Sequence, residues 1–127
     1  RMNRRIADTI SNSQGIILFP EGTSSKGERV LPFNSSLLNY PAKKKMPVSS
    51  AVISYRSTDA DRPAWSHVCW WGDMAFLPHF WELLKIKKID VRIRFGDKRT
   101  ASDRKKLSKK LHEQVSQLFI PIVDSQR

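Results

Sequence analysis

The run Gly15-Ile16-Ile17-Leu18-Phe19 stops at Pro20-Glu21-Gly22, and no other junction in the chain constrains its fold as tightly. A β-branched apolar run closed by Pro and Gly reads as a strand breaking into a loop. Beyond the break come one carboxylate (Glu21), one residue without a side chain (Gly22) and three hydroxyls (Thr23, Ser24, Ser25). Ligands in open α/β sheets gather outside the carboxyl ends of strands, so this loop is a candidate binding site. A solvated strand-to-helix turn is the competing reading, because Pro, Gly and Ser dominate turns in any case.

The rest of the chain supplies the partners of such a strand. A short helix is expected near Asn3 to Ser13, with Ile6 and Ile10 on one face. Lys26-Gly27-Glu28 reads as a turn, and Val30-Leu31-Pro32-Phe33 leads into a helix over Asn34–Tyr40, capped by Asn34 or Ser35. Pro41–Pro47 is a basic connector, Val48–Tyr55 a second strand, Arg56–Pro63 a polar loop or hairpin and His67–Trp71 a third strand. Phe76–Leu84 is aromatic and helical after Pro78. Ile89, Val91, Ile93 and Phe95 alternate with Asp90, Arg92 and Arg94, the pattern of a half-exposed strand that Gly96 ends. A final helix over Ser102–Phe119 places Leu107, Leu111, Val115 and Leu118 on one face and Lys/Arg on the other. Strands interleaved with helices give an α/β domain with a mixed β-sheet flanked by helices.

A length of 127 residues allows one domain. No apolar stretch approaches the roughly 18 residues of a membrane span, and no signal-peptide pattern opens the chain. One cysteine, Cys69, excludes an internal disulfide framework and fits a reducing compartment. The net charge is +11, and residues 85–112 hold twelve Lys/Arg against three Asp/Glu. Such a field attracts phosphates, whether of nucleic acid or of anionic lipid.

The run Phe19-Pro20-Glu21-Gly22-Thr23, followed at fixed spacing by Leu31-Pro32-Phe33, resembles the signature of the glycerolipid acyltransferase family, whose type members acylate 1-acylglycerol-3-phosphate. Met46-Pro47-Val48 matches that family's next block in position. Val68-Cys69-Trp70-Trp71-Gly72-Asp73-Met74, with Pro78-His79-Phe80-Trp81 after it, resembles a bacterial branch. The resemblance implies a glycerol-3-phosphate acyltransferase-like fold. It implies transfer of a fatty acyl group from an acyl-CoA or acyl-carrier-protein thioester to a lysolipid hydroxyl, with no metal or other cofactor. It also implies an enzyme at an anionic membrane surface, on the cytoplasmic face of a bacterial inner membrane.

By the same resemblance Glu21 and Thr23 make polar contacts with acceptor hydroxyls, and Gly22 allows close backbone approach or lends an N–H. Arg1, 18 residues before Phe19, matches an arginine that would fork onto a phosphate. At Ser24 most of the family has arginine; members with Thr-Ser-Ser here include acyltransferases of lyso-ornithine lipids, whose headgroup lacks phosphate. The acceptor therefore stays open between the two classes.

The family's base is a His-x-x-x-x-Asp block upstream of its Glu-Gly-Thr, and this chain has none. His67 and Asp73 are separated by five residues and lie downstream; His79 and His112 have no carboxylate at the needed spacing. No catalytic residue is assigned within the chain. Residues 1–127 read as the C-terminal portion of one acyltransferase domain, inactive by itself.

Trp70, Trp71, Phe76, Phe80 and Trp81 fall within twelve residues and are followed by Lys85, Lys87 and Lys88. Rings beside ammonium groups suit a membrane interface, although buried aromatics beside a solvated basic face would read the same way. A basic nucleic-acid-binding domain is the alternative from another class, with the aromatics stacking bases. No nucleic-acid motif is present, so nucleic acid is not expected as a partner. A non-catalytic remnant serving as a binding module is the third reading.

Overall fold

The computed structural model describes residues 2–11 and 15–122. In chain order the elements are α1 (Met2–Ser11), a 3-10 turn (Ser35–Leu38), α2 (Asn39–Lys43), β1 (Ala51–Ser57), α3 (Ala64–His67), α4 (Phe76–Leu84), β2 (Ile89–Phe95) and α5 (Arg104–Leu118). The domain is thus a small α/β unit, but its sheet is two antiparallel strands rather than the expected mixed sheet.

α5 organises the core because its apolar residues recur at helical spacing. Leu107 and Leu111 pack with Leu38 and Ala42, and Leu18, Phe33, Val48 and Ala101 close around them. The Asp103 carboxylate starts the helix by accepting the N–H groups of Lys105 and Lys106, each at 2.9 Å. Asn34 does the same for the 3-10 turn through the Ser36 N–H at 3.1 Å. Helix α2 continues to Lys43, past the boundary expected at Tyr40, since Pro41 falls in its first turn where a missing N–H costs nothing.

β2 has the boundaries its alternation predicts, and β1 starts three residues later than expected, with Val48 making an isolated bridge to Arg99. Ala51, Ile53 and Tyr55 stand opposite Phe95, Ile93 and Val91. This sheet departs from the expectation for a half-exposed strand. On the arginine-bearing face only β1 is covered: Val52 is buried and Ser54 Oγ donates to Ile120 O at 3.3 Å, while Arg92 and Arg94 stay exposed and Arg94 Nη1 donates to Leu118 O at 3.3 Å. A guanidinium meets an otherwise orphan carbonyl at the C-terminus of α5, which favours positive charge. The apolar face, with Val91, Ile93 and Phe95, is left open.

Two expected strands are absent. Gly15–Phe19 is irregular and pairs with no other described segment, with Ile17 84% and Phe19 74% exposed. A run of this composition is buried only when strands flank it on both sides, and the two strands of the domain pair with each other instead. His67–Trp71 is not a strand either. Pro63, at φ −64°, sets the chain for a helical turn, and its carbonyl accepts the His67 N–H at 3.0 Å. Trp71 then turns back, its indole N–H donating to Trp65 O at 2.8 Å.

Candidate functional site

The loop after Phe19 is built by its own sequence. Pro20 and Glu21 are the central residues of a turn closed by the Gly22 N–H donating to Phe19 O at 3.1 Å. Gly22 has φ +69°, the left-handed region that disfavours any residue with a Cβ, which explains the glycine. Its N–H is committed to this turn, so backbone approach rather than donation is what it offers a ligand.

Two hydrogen bonds then stitch the loop to the second motif. The Asn34 N–H donates to Pro20 O at 2.7 Å, and the Leu31 N–H donates to Glu21 Oε2 at 2.8 Å. The sequence reading missed this clamp. Its signal was the fixed ten-residue separation of Glu21 and Leu31, which a pair of independent motifs would not need. Glu21 is half-buried, and its other carboxylate oxygen has no hydrogen-bond partner among the described residues. Thr23 and Ser24 are exposed, the Thr23 hydroxyl making only a long 3.4 Å contact to Ser24 O. Glu21, Gly22, Thr23 and Ser24 therefore share one surface loop. Arg1 lies outside the described residues.

The distal part of the loop is pinned. Gly27, at φ +82°, is buried, its carbonyl accepts the Ile122 N–H at 2.8 Å, and a Cβ there would collide with the Ile122 side chain. Lys26 pairs with Glu28 at 2.7 Å and lies 5.5 Å above the Trp71 ring, so this cation is engaged away from the Glu21 carboxylate.

The remaining chemically capable groups lie elsewhere. His67 Nδ1 is 2.8 Å from Ser66 Oγ, its neighbour in sequence. The buried Nε2 atoms of His79 and His112 have no hydrogen-bond partner among the described residues, and His112 packs edge-on against Phe33 at 5.1 Å. Burial pushes the Cys69 thiol up, away from the thiolate a nucleophile needs. The Lys85 ammonium, hydrogen-bonded to Glu82, holds that carboxyl below its usual range, with Arg62 adding to the effect. Among the described residues no group of three or more His, Cys, Asp and Glu could hold a metal ion.

No protein-family model matches the chain, and no solved structure matches it. Curated relatives do. The chain is 31% identical over 127 residues to a lyso-ornithine lipid O-acyltransferase of Brucella abortus, a match covering 90% of this chain and 48% of that protein. It is 30% identical over 95 residues to the lyso-ornithine lipid O-acyltransferase of Pseudomonas aeruginosa, covering 72% and 34%. A 1-acyl-sn-glycerol-3-phosphate acyltransferase of Neisseria meningitidis is 25% identical over 117 residues, covering 90% and 45%. The chain spans about half the length, or less, of the curated relatives it matches. Across 90% of its length the chain is thus similar to curated acyltransferases of lysolipids, of both the lyso-ornithine lipid and the 1-acyl-sn-glycerol-3-phosphate kind.

Proposed function

We propose that the protein to which this chain belongs transfers a fatty acyl group from an acyl-CoA or acyl-carrier-protein thioester to the hydroxyl of a lysolipid. The acceptor hydroxyl oxygen attacks the thioester carbonyl, its proton passes to a base, and the thiolate leaves as the ester forms. The base is an imidazole oriented by a carboxylate, carried outside these 127 residues on the portion that the relatives have beyond the match. The acyltransferase fold of the whole domain would then complete a mixed sheet beside Gly15–Phe19.

The clamp between Glu21 and Leu31 is the observation that carries this reading. It spends one carboxylate oxygen on fixing the loop and leaves the other, with the Thr23 and Ser24 hydroxyls, for a polyhydroxylated or amide-bearing headgroup. Ser24 in place of the family's arginine favours a lyso-ornithine lipid as acceptor over 1-acylglycerol-3-phosphate. Such a protein works at the cytoplasmic face of a membrane, where its acceptor resides.

The test is transfer of labelled acyl groups by the full gene product, from each thioester to each acceptor. Ester formation on lyso-ornithine lipid, absent without protein, is the expected result. No transfer from either donor to either acceptor by folded protein overturns the reading.

A further inference from the structure

Helix α4 has no buried residue although it is strongly apolar. Phe76, Leu77, Phe80, Trp81 and Leu84 are 57, 75, 43, 65 and 61% exposed. Their spacing puts all five on one stripe. The opposite side, His79, Glu82 and Leu83, is half-buried and seats the helix beside α3. The stripe is ordered by its own rings: Phe76 stacks on Phe80 at 5.8 Å, and Trp70 meets Phe76 edge-on at 5.9 Å. The Trp70 indole N–H is held by Met74 O at 2.7 Å. Lys85, Lys87 and Lys88 follow directly, all exposed, at the start of the segment that carries most of the +11 charge; Lys85 pairs with Glu82, and Lys88 with Asp90 at 3.1 Å.

We propose that α4 seats the protein on an anionic bilayer. The helix lies in the plane of the membrane, its stripe at the boundary of headgroups and acyl chains and Lys87 on lipid phosphate, with Lys85 and Lys88 exchanging their exposed carboxylate partners for phosphates there. This rests on, and deepens, the lipid-acceptor reading above. Nine residues make a helix of about 14 Å, less than half of the roughly 30 Å hydrocarbon core, so α4 lies on a membrane and does not cross it. No described helix is long and apolar enough to span one. Indole rings beside lysines are the composition of an interfacial helix, with apolar area and positive charge acting together. The open face of the β1–β2 sheet is also apolar, but nothing in the structure shows what covers it.

Flotation of the full gene product with phosphatidylcholine vesicles, with and without phosphatidylglycerol, tests the proposal. Wild-type protein binds the anionic vesicles preferentially, and its tryptophan emission moves to the blue. Leu77→Glu with Trp81→Glu lowers the partition coefficient by about tenfold or more. Lys85→Gln, Lys87→Gln and Lys88→Gln together remove the preference for phosphatidylglycerol and flatten the salt dependence. Both variants alter exposed residues and keep the circular dichroism of the parent. If the charged variant loses its fold, quenching by brominated acyl chains still decides: Trp81→Phe must remove a large share of the quenching seen in the parent. Unchanged vesicle binding by the folded Leu77→Glu/Trp81→Glu variant overturns the proposal, as does a stripe that drives self-association without vesicle binding. Vesicle binding through α4 without acyl transfer leaves this inference standing and removes the enzymatic one. Transfer with α4-independent binding does the reverse.

Discussion

The Glu21 carboxylate accepts the Leu31 N–H at 2.8 Å across ten residues of sequence, and so one side chain fixes the distance between the two motifs. A residue with two jobs predicts two separable phenotypes. Glu21→Ala strands the Leu31 N–H and costs roughly 1–3 kcal/mol of stability. Glu21→Gln keeps a carbonyl oxygen for Leu31 and costs less, but its amide is a poorer acceptor for a substrate hydroxyl. Both variants of the full gene product lose acyl transfer by more than about tenfold, the scale of a charged hydrogen bond. Denaturant titration beside kinetics separates the effects. Near-normal turnover in Glu21→Gln would mean that the carboxylate only braces the loop.

The two glycines of the same loop differ in what surrounds them. Gly22 is at φ +69° in open space, whereas Gly27 is at φ +82° against the Ile122 side chain. Gly22→Ala therefore pays backbone strain alone, about 1 kcal/mol. Gly27→Ala adds overpacking and loses roughly 2–4 kcal/mol. Equal midpoints in urea for the two variants would contradict this ordering.

Much of the architecture was legible because it is local. The alternation of Ile89–Phe95, the aromatic run of α4 and the leucine spacing of α5 depend on near neighbours, and each gives its element, although α4 begins at Phe76 rather than after Pro78, the proline falling in its first turn. The failures are tertiary. Whether Gly15–Phe19 is a buried strand depends on partners that the run does not encode. That β2 is exposed on both faces from Asp90 onward, with Arg94 reaching a carbonyl of α5 24 residues away, likewise depends on partners outside the strand. In the candidate site the residue types of the loop were visible, but not the clamp to Leu31 or the pinning of Gly27 by Ile122.

Asp103 gives the acid limb of stability a specific origin. The N–H groups of Lys106 and Lys105 stabilise its charged form and hold its carboxyl below the ordinary value of 3.8. The unfolded chain then binds more protons than the folded one in that window, so stability rises with pH there. The contribution is present above the unfolded value and lost as pH falls through the folded one. Asp103→Asn keeps an acceptor for the cap but cannot titrate, and its loss of stability below about pH 4 is shallower than the parent's. Thermal midpoints between pH 2 and 6 measure the difference. Parallel curves would assign the acid limb to Asp59 and Glu82, whose carboxyls are also held low by Arg62 and Lys85.

Ser24 is the position at which the headgroup question becomes an experiment. It is exposed beside Thr23, on the same loop as the Glu21 carboxylate, so a longer side chain there has room. Guanidinium forks onto phosphate with two parallel hydrogen bonds, a geometry that a hydroxyl cannot replace. Ser24→Arg in the full gene product should raise the ratio of kcat/KM for 1-acylglycerol-3-phosphate over lyso-ornithine lipid by about tenfold, the worth of one charge-assisted hydrogen bond. Ser24→Lys, a point charge without the fork, should move the same ratio less. The comparison is internal to each variant, so differences in folding or expression cancel. A ratio that stays at the parent value in Ser24→Arg places this residue away from the headgroup and returns the choice of acceptor to residues beyond the loop.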